Sequence, residues 1–459
     1  MGCLRNVNNP VVNCVVMRNN TKNHEQLNKI IEFRQRVYDC LEQGKDAQFQ
    51  IIDALLSDMR VDSYAELSLS PQFERGWGSA YDALENGSLQ REGLSQLFIG
   101  QLPAEGVVVC PLDTTVWPHP KARTLEGLMY EISPTKAAKK QTAVVGHVYS
   151  LIGWTRERGS SWCLGLKNER LTLATDAIQL GVKQVKELVK TRQELGATGL
   201  TVVPADGKYG THLFLGPLRD QAQLAVVTRL RCDRVLYGPP RRRKGQGRPR
   251  KHGQRFAFKE ESTWHSPDED ITFTDERWGR VRLRGWHQLH MKQDADTPFT
   301  AIYVQAHLER DKPPKPIWLG YQGPHDYSVK EAWLWFDQRW PIEPGIRFRK
   351  QKLHLTLPKL QTAERCDRWC WLVEAAFWQL HLASSLVQDN PLPWQPAQLS
   401  LTPSRTLQAF ARLFALIGSP TRPFQSRQNG LGWPKGKPRT RPMRFKPQRR
   451  HKNRRKKKA

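Results

Sequence analysis

Val107-Val108-Val109-Cys110-Pro111-Leu112-Asp113-Thr114-Thr115 is a short apolar run that stops at a proline and then meets an acid. Its counterpart comes later in the chain: Leu200-Thr201-Val202-Val203-Pro204-Ala205-Asp206-Gly207. Both read as buried strands, because β-branched apolar residues in runs of four to eight, closed by Pro, Gly or Asp, fit a sheet covered on both faces. Further strand-like runs lie at Val144–Ile152, Trp162–Leu166 and Ala225–Leu230. Residues 175–194 place Ile178, Val182, Val185, Leu188 and Val189 at helical spacing. Strands alternating with a helix predict an α/β core with a mixed sheet.

The two acids admit two readings. A carboxylate just past a strand in such a sheet points into the crevice where ligands bind. Two of them close together repel each other, and a divalent cation relieves the repulsion. Each is equally a residue type that caps helices and makes turns.

Outward from this core the texture changes. Residues 1–20 are irregular. Residues 24–100 are helical in pattern, with Leu27, Ile30, Ile31, Val37, Tyr38 and Leu41 in register and no alternating strand-like run. Residues 237–325 begin with a basic Pro/Gly-rich loop at 239–259. They continue with short β-like runs at Ile271–Phe273, Val281–Leu283, Ala301–His307 and Pro316–Leu319. Helical patterns return at 327–356, 362–388 and 405–417, and a proline-bearing linker covers 389–404.

The charge is uneven. Of a formal +28, nine basic side chains without an acid lie in 241–259, and sixteen without an acid lie in 421–459. The rest of the chain is nearly neutral, so a folded body carries two concentrated cationic segments. With 39% hydrophobic residues and 16 Trp, disorder of the whole chain is excluded, while the tail from 421 lacks apolar periodicity and reads as disordered. Such segments call for a polyanion, nucleic acid before an anionic membrane. No apolar run approaches the roughly 18–20 residues of a spanning helix, so no membrane partner is expected. The motif Gly-x4-Gly-Lys-Ser/Thr is absent, and Gly245-Gln246-Gly247 lacks the third glycine of a dinucleotide fingerprint. The 8 Cys form no Cys-x2-Cys pair; Cys366 and Cys370 read as buried thiols in a reducing compartment.

A third acid lies in Phe336-Asp337-Gln338-Arg339-Trp340-Pro341-Ile342-Glu343-Pro344-Gly345-Ile346-Arg347-Phe348-Arg349-Lys350. On one continuous helix, Phe336, Arg339, Glu343 and Lys350 share a stripe. An aromatic, two cations and a carboxylate would then face one ligand, the carboxylate suiting a metal and the cations suiting phosphates. The alternative is a solvated face with an Arg339–Glu343 ion pair. Pro341 and Pro344 predict a helix start or a kink near 341.

Together, Asp113-Thr114-Thr115, Asp206-Gly207 and the spacing Arg339-x3-Glu343-x6-Lys350 resemble DDE-type insertion-sequence transposases with an RNase H-like core. The subgroup is the one carrying a Tyr-x2-Arg-x3-Glu-x6-Lys motif and a β-rich insertion; Phe336 stands where it has Tyr. The resemblance covers roughly residues 20–440, and the four-residue motif is its most specific part.

The resemblance implies an RNase H-like mixed sheet with flanking helices. The domains it implies are an irregular 1–20, a helical DNA-binding domain at 21–103, a catalytic core in two parts at 104–236 and 326–388, a β-rich insertion at 237–325, a linker with a short helix at 389–420, and a disordered basic tail at 421–459. It implies that Asp113, Asp206 and Glu343 are catalytic and hold two Mg²⁺ (or Mn²⁺) ions. Arg339, Lys350, Phe336 and Thr114 would contact DNA. Arg248, Arg250 and Lys251 would do so from the basic loop, by following phosphates or by entering a narrow minor groove. Among Trp264, Trp278, Trp286 and Trp318, core packing and base stacking are both open. The implied activity is cleavage and strand transfer of DNA at element ends and target, by a homodimer or larger assembly in a bacterial cytoplasm at the nucleoid. A catalytically inactive, transposase-derived DNA-binding protein is the alternative, and an RNA-binding protein a third option, since charge does not separate DNA from RNA.

Overall fold

A computed structural model describes residues 21–132, 143–240, 250–308, 314–425, 436, 441 and 443–448. The expected irregular N-terminus at 1–20, the loop residue Arg248 and most of the basic tail lie outside them. The chain divides into two compact units: Met1–Leu97 with Arg123–Glu126 and Ile346–Phe445, and Phe98–Ala122 with Gly127–Gly345 and Lys446–Ala459.

The first unit is helical. Helices α1 (Thr21–Asp39), α2 (Lys45–Leu55), α3 (Trp77–Glu85) and α4 (Arg91–Ile99) precede the sheet; α4 runs across the unit boundary. Later in the chain α9 (Ala363–Ala383) is buried along most of its length, and α1, α2 and α3 pack around it. Arg34 donates to Asp53 at 2.7 Å and to Gln379 at 2.6 Å. It is 1% exposed, so its charge is stable inside only because both partners and the Gly418 carbonyl accept from it. Cys366 and Cys370 are buried thiols.

The second unit is built on a 13-stranded mixed sheet in the order β3-β4-β2-β6-β7-β13-β12-β11-β8-β9. The first seven strands are β1 (Val107–Val109), β2 (Leu112–Pro118), β3 (Met129–Ile132), β4 (Ala143–Trp154), β5 (Leu164–Arg170), β6 (Leu200–Ala205) and β7 (Leu224–Leu230). β4 lies antiparallel to β2, β3 and β5, whereas β1 and β2 run parallel to β6, and β6 runs parallel to β7. All six residues of β6 are buried, as a strand flanked by two parallel neighbours requires.

Helix α5 (Ala177–Glu194) covers this region. It starts at a capping box in which the Asp176 carboxylate accepts from the Gln179 N–H at 2.8 Å. Gly181 sets how closely α5 approaches. A Cβ there would sit 2.9 Å from both Leu112 Cδ2 and Tyr209 Cε1, so a larger residue would have to displace these side chains for the helix to keep its place beside Leu112.

After the short helix α6 (His212–Leu215), β8 (Val235–Tyr237), β9 (Arg255–Ala257), β10 (Glu269–Asp275), β11 (Gly279–Met291), β12 (Asp294–His307) and β13 (Ile317–Gln322) continue the same sheet. β13 lies antiparallel to β7 (Trp318 opposite Leu230), so the β-rich stretch extends the core sheet edge to edge. Its core joins Val281, Leu283, Ile302, Val304 and Leu319 to Trp333 and Val329 of α7 (Val329–Asp337). Trp286 and Trp318 are buried; Trp264 and Trp278 are half-buried.

Three expectations need correction. The segment 239–259 is not all loop: Arg255–Ala257 is strand β9, paired with β8, because Phe256 and Ala257 have a core to enter. The tail is not without structure throughout, since the Gln448 N–H donates to the Leu128 carbonyl at 3.1 Å and the Tyr130 N–H to the Gln448 carbonyl at 3.3 Å, which adds this residue to β3. And 327–356 is two helices, α7 and α8 (Ile342–Gln351), so Phe336, Arg339, Glu343 and Lys350 do not share one continuous stripe. Between the two, the N–H groups of Arg339, Trp340, Ile342 and Glu343 each reach back three residues instead of four. Pro341 has no N–H and forces the restart, and Pro344 is tolerated because it falls in the first turn of α8.

Two shorter helices follow, α10 (Pro403–Phe410) and α11 (Phe414–Ile417). No helix among the described residues is long and apolar enough to cross a membrane.

Candidate active site

Asp113 is the second residue of β2, rather than a residue past a strand end. Pro111 interrupts the run after β1, and the pairing with β6 resumes at Leu112, opposite Ala205. Asp113 and Asp206 therefore leave neighbouring parallel strands at the same level. Asp206 follows β6 directly, and its Oδ1 accepts the Lys208 N–H at 3.0 Å, which closes the Asp206–Gly207–Lys208 turn. The Asp113 Oδ1 accepts the N–H of Thr114 at 2.7 Å.

Glu343 arrives from α8, and Arg339 from the turn before it. One guanidinium joins the acids: Arg339 Nη1 donates to Asp113 Oδ2 at 3.1 Å and Nη2 to Glu343 Oε1 at 3.3 Å. The side chain of Asp113 is 20% exposed and that of Glu343 is 54% exposed. Burial pushes the Asp113 carboxyl above its usual value; Arg339 pulls it down, and the charge of Asp206 pushes it up again. A carboxylate that stays raised despite an arginine at 3.1 Å is one whose burial outweighs the positive charge around it. Tyr209, buried beneath, has its phenol pushed well up by burial and by both aspartates, so it keeps its proton.

Among the other expected site residues, Phe336 stands with its ring centroid 5.9 Å from the Arg339 guanidinium carbon. The Thr114 hydroxyl accepts from Lys208 Nζ at 2.9 Å. Lys350 lies on the part of α8 that belongs to the helical unit, where burial lowers its ammonium to about 8. Arg250 and Lys251 are exposed before β9, and no hydrogen bond or ion pair among the described residues ties them to the acids.

Two features were not expected from sequence. Lys208 reaches Thr114 and Glu131 (3.5 Å) from the turn after Asp206; its only signal is its position two residues past that acid. Beside the α7–α8 turn, Asp337 is held by Arg158 Nε (2.5 Å), Arg277 Nη1 (3.0 Å) and Trp278 Nε1 (2.7 Å). Arg158 also forks onto Asp275 at 2.5 and 3.0 Å. No spacing rule joins residues so far apart in sequence.

A mixed sheet ordered β5-β4-β2-β6-β7, with one acid on β2, one directly past the parallel β6 and a third on a following helix, is consistent with an RNase H-like nuclease. Residues 36–290 match the family model of the DDE superfamily endonucleases, more than half of the chain, and the chain belongs to that family. No curated protein matches it. The family brings a transposase-like nuclease function, a DNA substrate and a general use of divalent metal ions. Glu343 and Arg339 lie beyond the matched residues.

The donor set fits such an ion. Three carboxylates are hard oxygen ligands of the kind Mg²⁺ and Mn²⁺ take, and Asp113 is short of positive charge in its present surroundings.

Proposed function

We propose that the protein is the transposase of a DNA insertion sequence, cutting DNA at element ends and joining them to a target with Asp113, Asp206 and Glu343 as the metal-holding acids. The observation that carries this reading is the bridge of Arg339 to both Asp113, 226 positions away in sequence, and Glu343, which links the helix acid to the strand acid.

In the proposed reaction a water oxygen attacks phosphorus and the P–O3′ bond breaks, leaving a 3′-hydroxyl and a 5′-phosphate. That 3′-hydroxyl then attacks a target phosphodiester and displaces another 3′-oxygen. Two Mg²⁺ or Mn²⁺ ions, when bound, supply the charge neutralisation that both displacements need. The acids hold the ions and the lost proton passes to solvent. Arg339, released from the carboxylates, holds a phosphate oxygen next to the scissile one, and Lys350 does the same by the spacing of its motif. Phe336 offers a stacking face without the hydroxyl of tyrosine. Arg248, Arg250 and Lys251 follow the backbone outside the reacting phosphate. Residues 21–103 recognise the ends, and a homodimer or larger assembly at the nucleoid holds two ends together.

The test is a nicking assay on DNA carrying the element's own ends. Wild type with Mg²⁺ nicks it, whereas Asp206→Asn and Glu343→Gln bind it without nicking. Equal inertness of all three with binding intact would instead identify an inactive, transposase-derived DNA-binding protein.

A further inference from the structure

Strands β8 and β9 come together at a narrow neck. The Gly238 N–H donates to the Gln254 carbonyl and the Gly253 N–H to the Gly238 carbonyl, both at 2.9 Å. A Cβ on Gly253 would collide with the Pro239 carbonyl oxygen, so the two stretches of backbone touch here. Of the nine basic residues in 241–259, Arg255 and Lys259 lie beyond this neck, and the others fall between its two glycines in sequence.

His252, the last residue before the neck, is paired with β11. Its Nδ1 lies 3.0 Å from Nε2 of His290, with the two ring planes 29° apart. His290 is 2% exposed and stands opposite Tyr237 in the β8–β11 ladder. The Tyr237 ring packs beside both imidazoles, at 5.1 Å from His252 and 6.4 Å from His290 between centroids. His252 is half-buried, so solvent reaches the pair from one side.

As a hydrogen bond, this contact engages one N–H and one lone pair. When the donor ring moves its proton to its far nitrogen, two lone pairs converge instead, with no change of charge. Two nitrogens held about 2.0–2.1 Å from one metal ion are about 2.9 Å apart at a right angle and about 3.3 Å apart at the tetrahedral angle. The observed 3.0 Å falls between these. Burial and the His252 ring lower His290 below its ordinary value, against the charges of Asp294 and Asp296 at the start of β12. The ring is therefore neutral at pH 7, the form that a metal needs, and the two carboxylates offset the charge of a dication.

We propose that His252 and His290 bind one transition-metal dication, Zn²⁺ or Ni²⁺, with water completing its shell, and that this ion pins the root of the basic segment to β11. Imidazole suits such ions, whereas carboxylates suit Mg²⁺ and Mn²⁺. The site is thus separate in chemistry from Asp113, Asp206 and Glu343, and it does not rest on their reading as catalytic.

The experiment is a calorimetric titration of Zn²⁺, and separately of Ni²⁺, into the full untagged chain, with Mg²⁺ in excess to occupy the acids. His252→Gln and His290→Gln each weaken binding about tenfold or more, at least the cost of losing an outer-shell partner. His287→Gln, an exposed imidazole on the same strand, and Cys232→Ser, an exposed thiol, leave it unchanged. Wild-type affinity falls between about pH 7.5 and 5.5, because both rings must be neutral to bind. Melting curves check folding. His290 is buried, so the half-buried His252 carries the test if His290→Gln does not fold. Trypsin cleavage after Lys251, next to His252, slows with Zn²⁺ in wild type and not in His252→Gln.

Binding that survives the His252 substitution, that is lost in Cys232→Ser, or that is flat with pH would overturn the site. Cleavage equally fast with and without Zn²⁺ would overturn the pinning. Nothing is nicked in any arm, so nicking that survives Asp206→Asn would sink the proposed function and leave these results standing.

Discussion

Arg158 and Arg339 each bridge two carboxylates in the sheet-bearing unit, Arg158 between Asp275 and Asp337 and Arg339 between Asp113 and Glu343. Around Arg158 the acids are saturated. Asp275 also accepts the N–H groups of Arg277 and Trp278 at 2.9 and 3.0 Å, and Asp337 accepts from Trp278 and Arg277. Burial pushes the Asp275 carboxyl up, yet Arg158 and the two N–H groups hold it below its ordinary value. Around Arg339 the balance is the reverse: Asp113 stays raised. The same residue type therefore closes one cluster and leaves the other short of positive charge. A saturated cluster supports structure, and an unsaturated one is open to a cation.

The comparison predicts opposite outcomes for similar substitutions, and this is the largest effect. Asp113→Asn should reduce nicking by about 10²–10³-fold or more and leave Tm within about 2 °C, because it removes an under-compensated charge. Asp337→Asn should reverse that pattern, lowering stability by about 3–5 kcal/mol in chemical denaturation, as breaking a buried pair does, while the folded fraction still nicks. Equal loss of Tm in both variants would erase the distinction.

Ion binding should sharpen it next. Mg²⁺ at about 100 times its Kd should stabilise wild type by about 2.7 kcal/mol, visible as a higher Tm. The gain should vanish in Asp113→Asn and persist in Asp337→Asn.

Acid gives a smaller, signed effect. The Asp275 carboxyl titrates lower in the folded chain than unfolded, so its contribution is complete above about 4 and is lost as pH falls through the folded value. The Tm gap between wild type and Asp275→Asn should be flat from pH 5 to 7 and shrink below about pH 4; a gap that widens there would contradict the pairing. Smallest of all, Arg277→Ala should cost about 0.2–1 kcal/mol, since its side chain is 35% exposed and Asp337 keeps two other donors.

The α/β character was legible because β6 and β7 are apolar enough to declare themselves in any window, and α5 shows a clean period. β3, β8 and β9 were not: each has three or four residues, and β3 and β8 take their hydrogen bonds from the longer β4 and β11, while β9 takes its own from β8. The three acids were legible as a set through their sequence contexts. Their mutual placement was not, because it depends on the Pro341 restart and on Pro111 dividing β1 from β2. Lys208 carried only its place two residues past Asp206, and Arg158 and Asp337 carried no local signal; their roles arise from pairing across the sheet, where partners stand up to 179 positions apart. The restart itself was legible in Pro341 and Pro344; the position it gives Glu343 against Asp113 was not.

Because β13 returns beside β7 in antiparallel register, everything from Arg231 to Pro316 is, topologically, the loop of a single hairpin. The ends of that loop are pinned one strand apart, so lengthening it changes closure entropy only as the logarithm of its length, about 0.6 kcal/mol per doubling. The module between the second and third acids can therefore grow, shrink or be exchanged while α7 still departs from the same strand. That stretch can be rebuilt without moving Glu343.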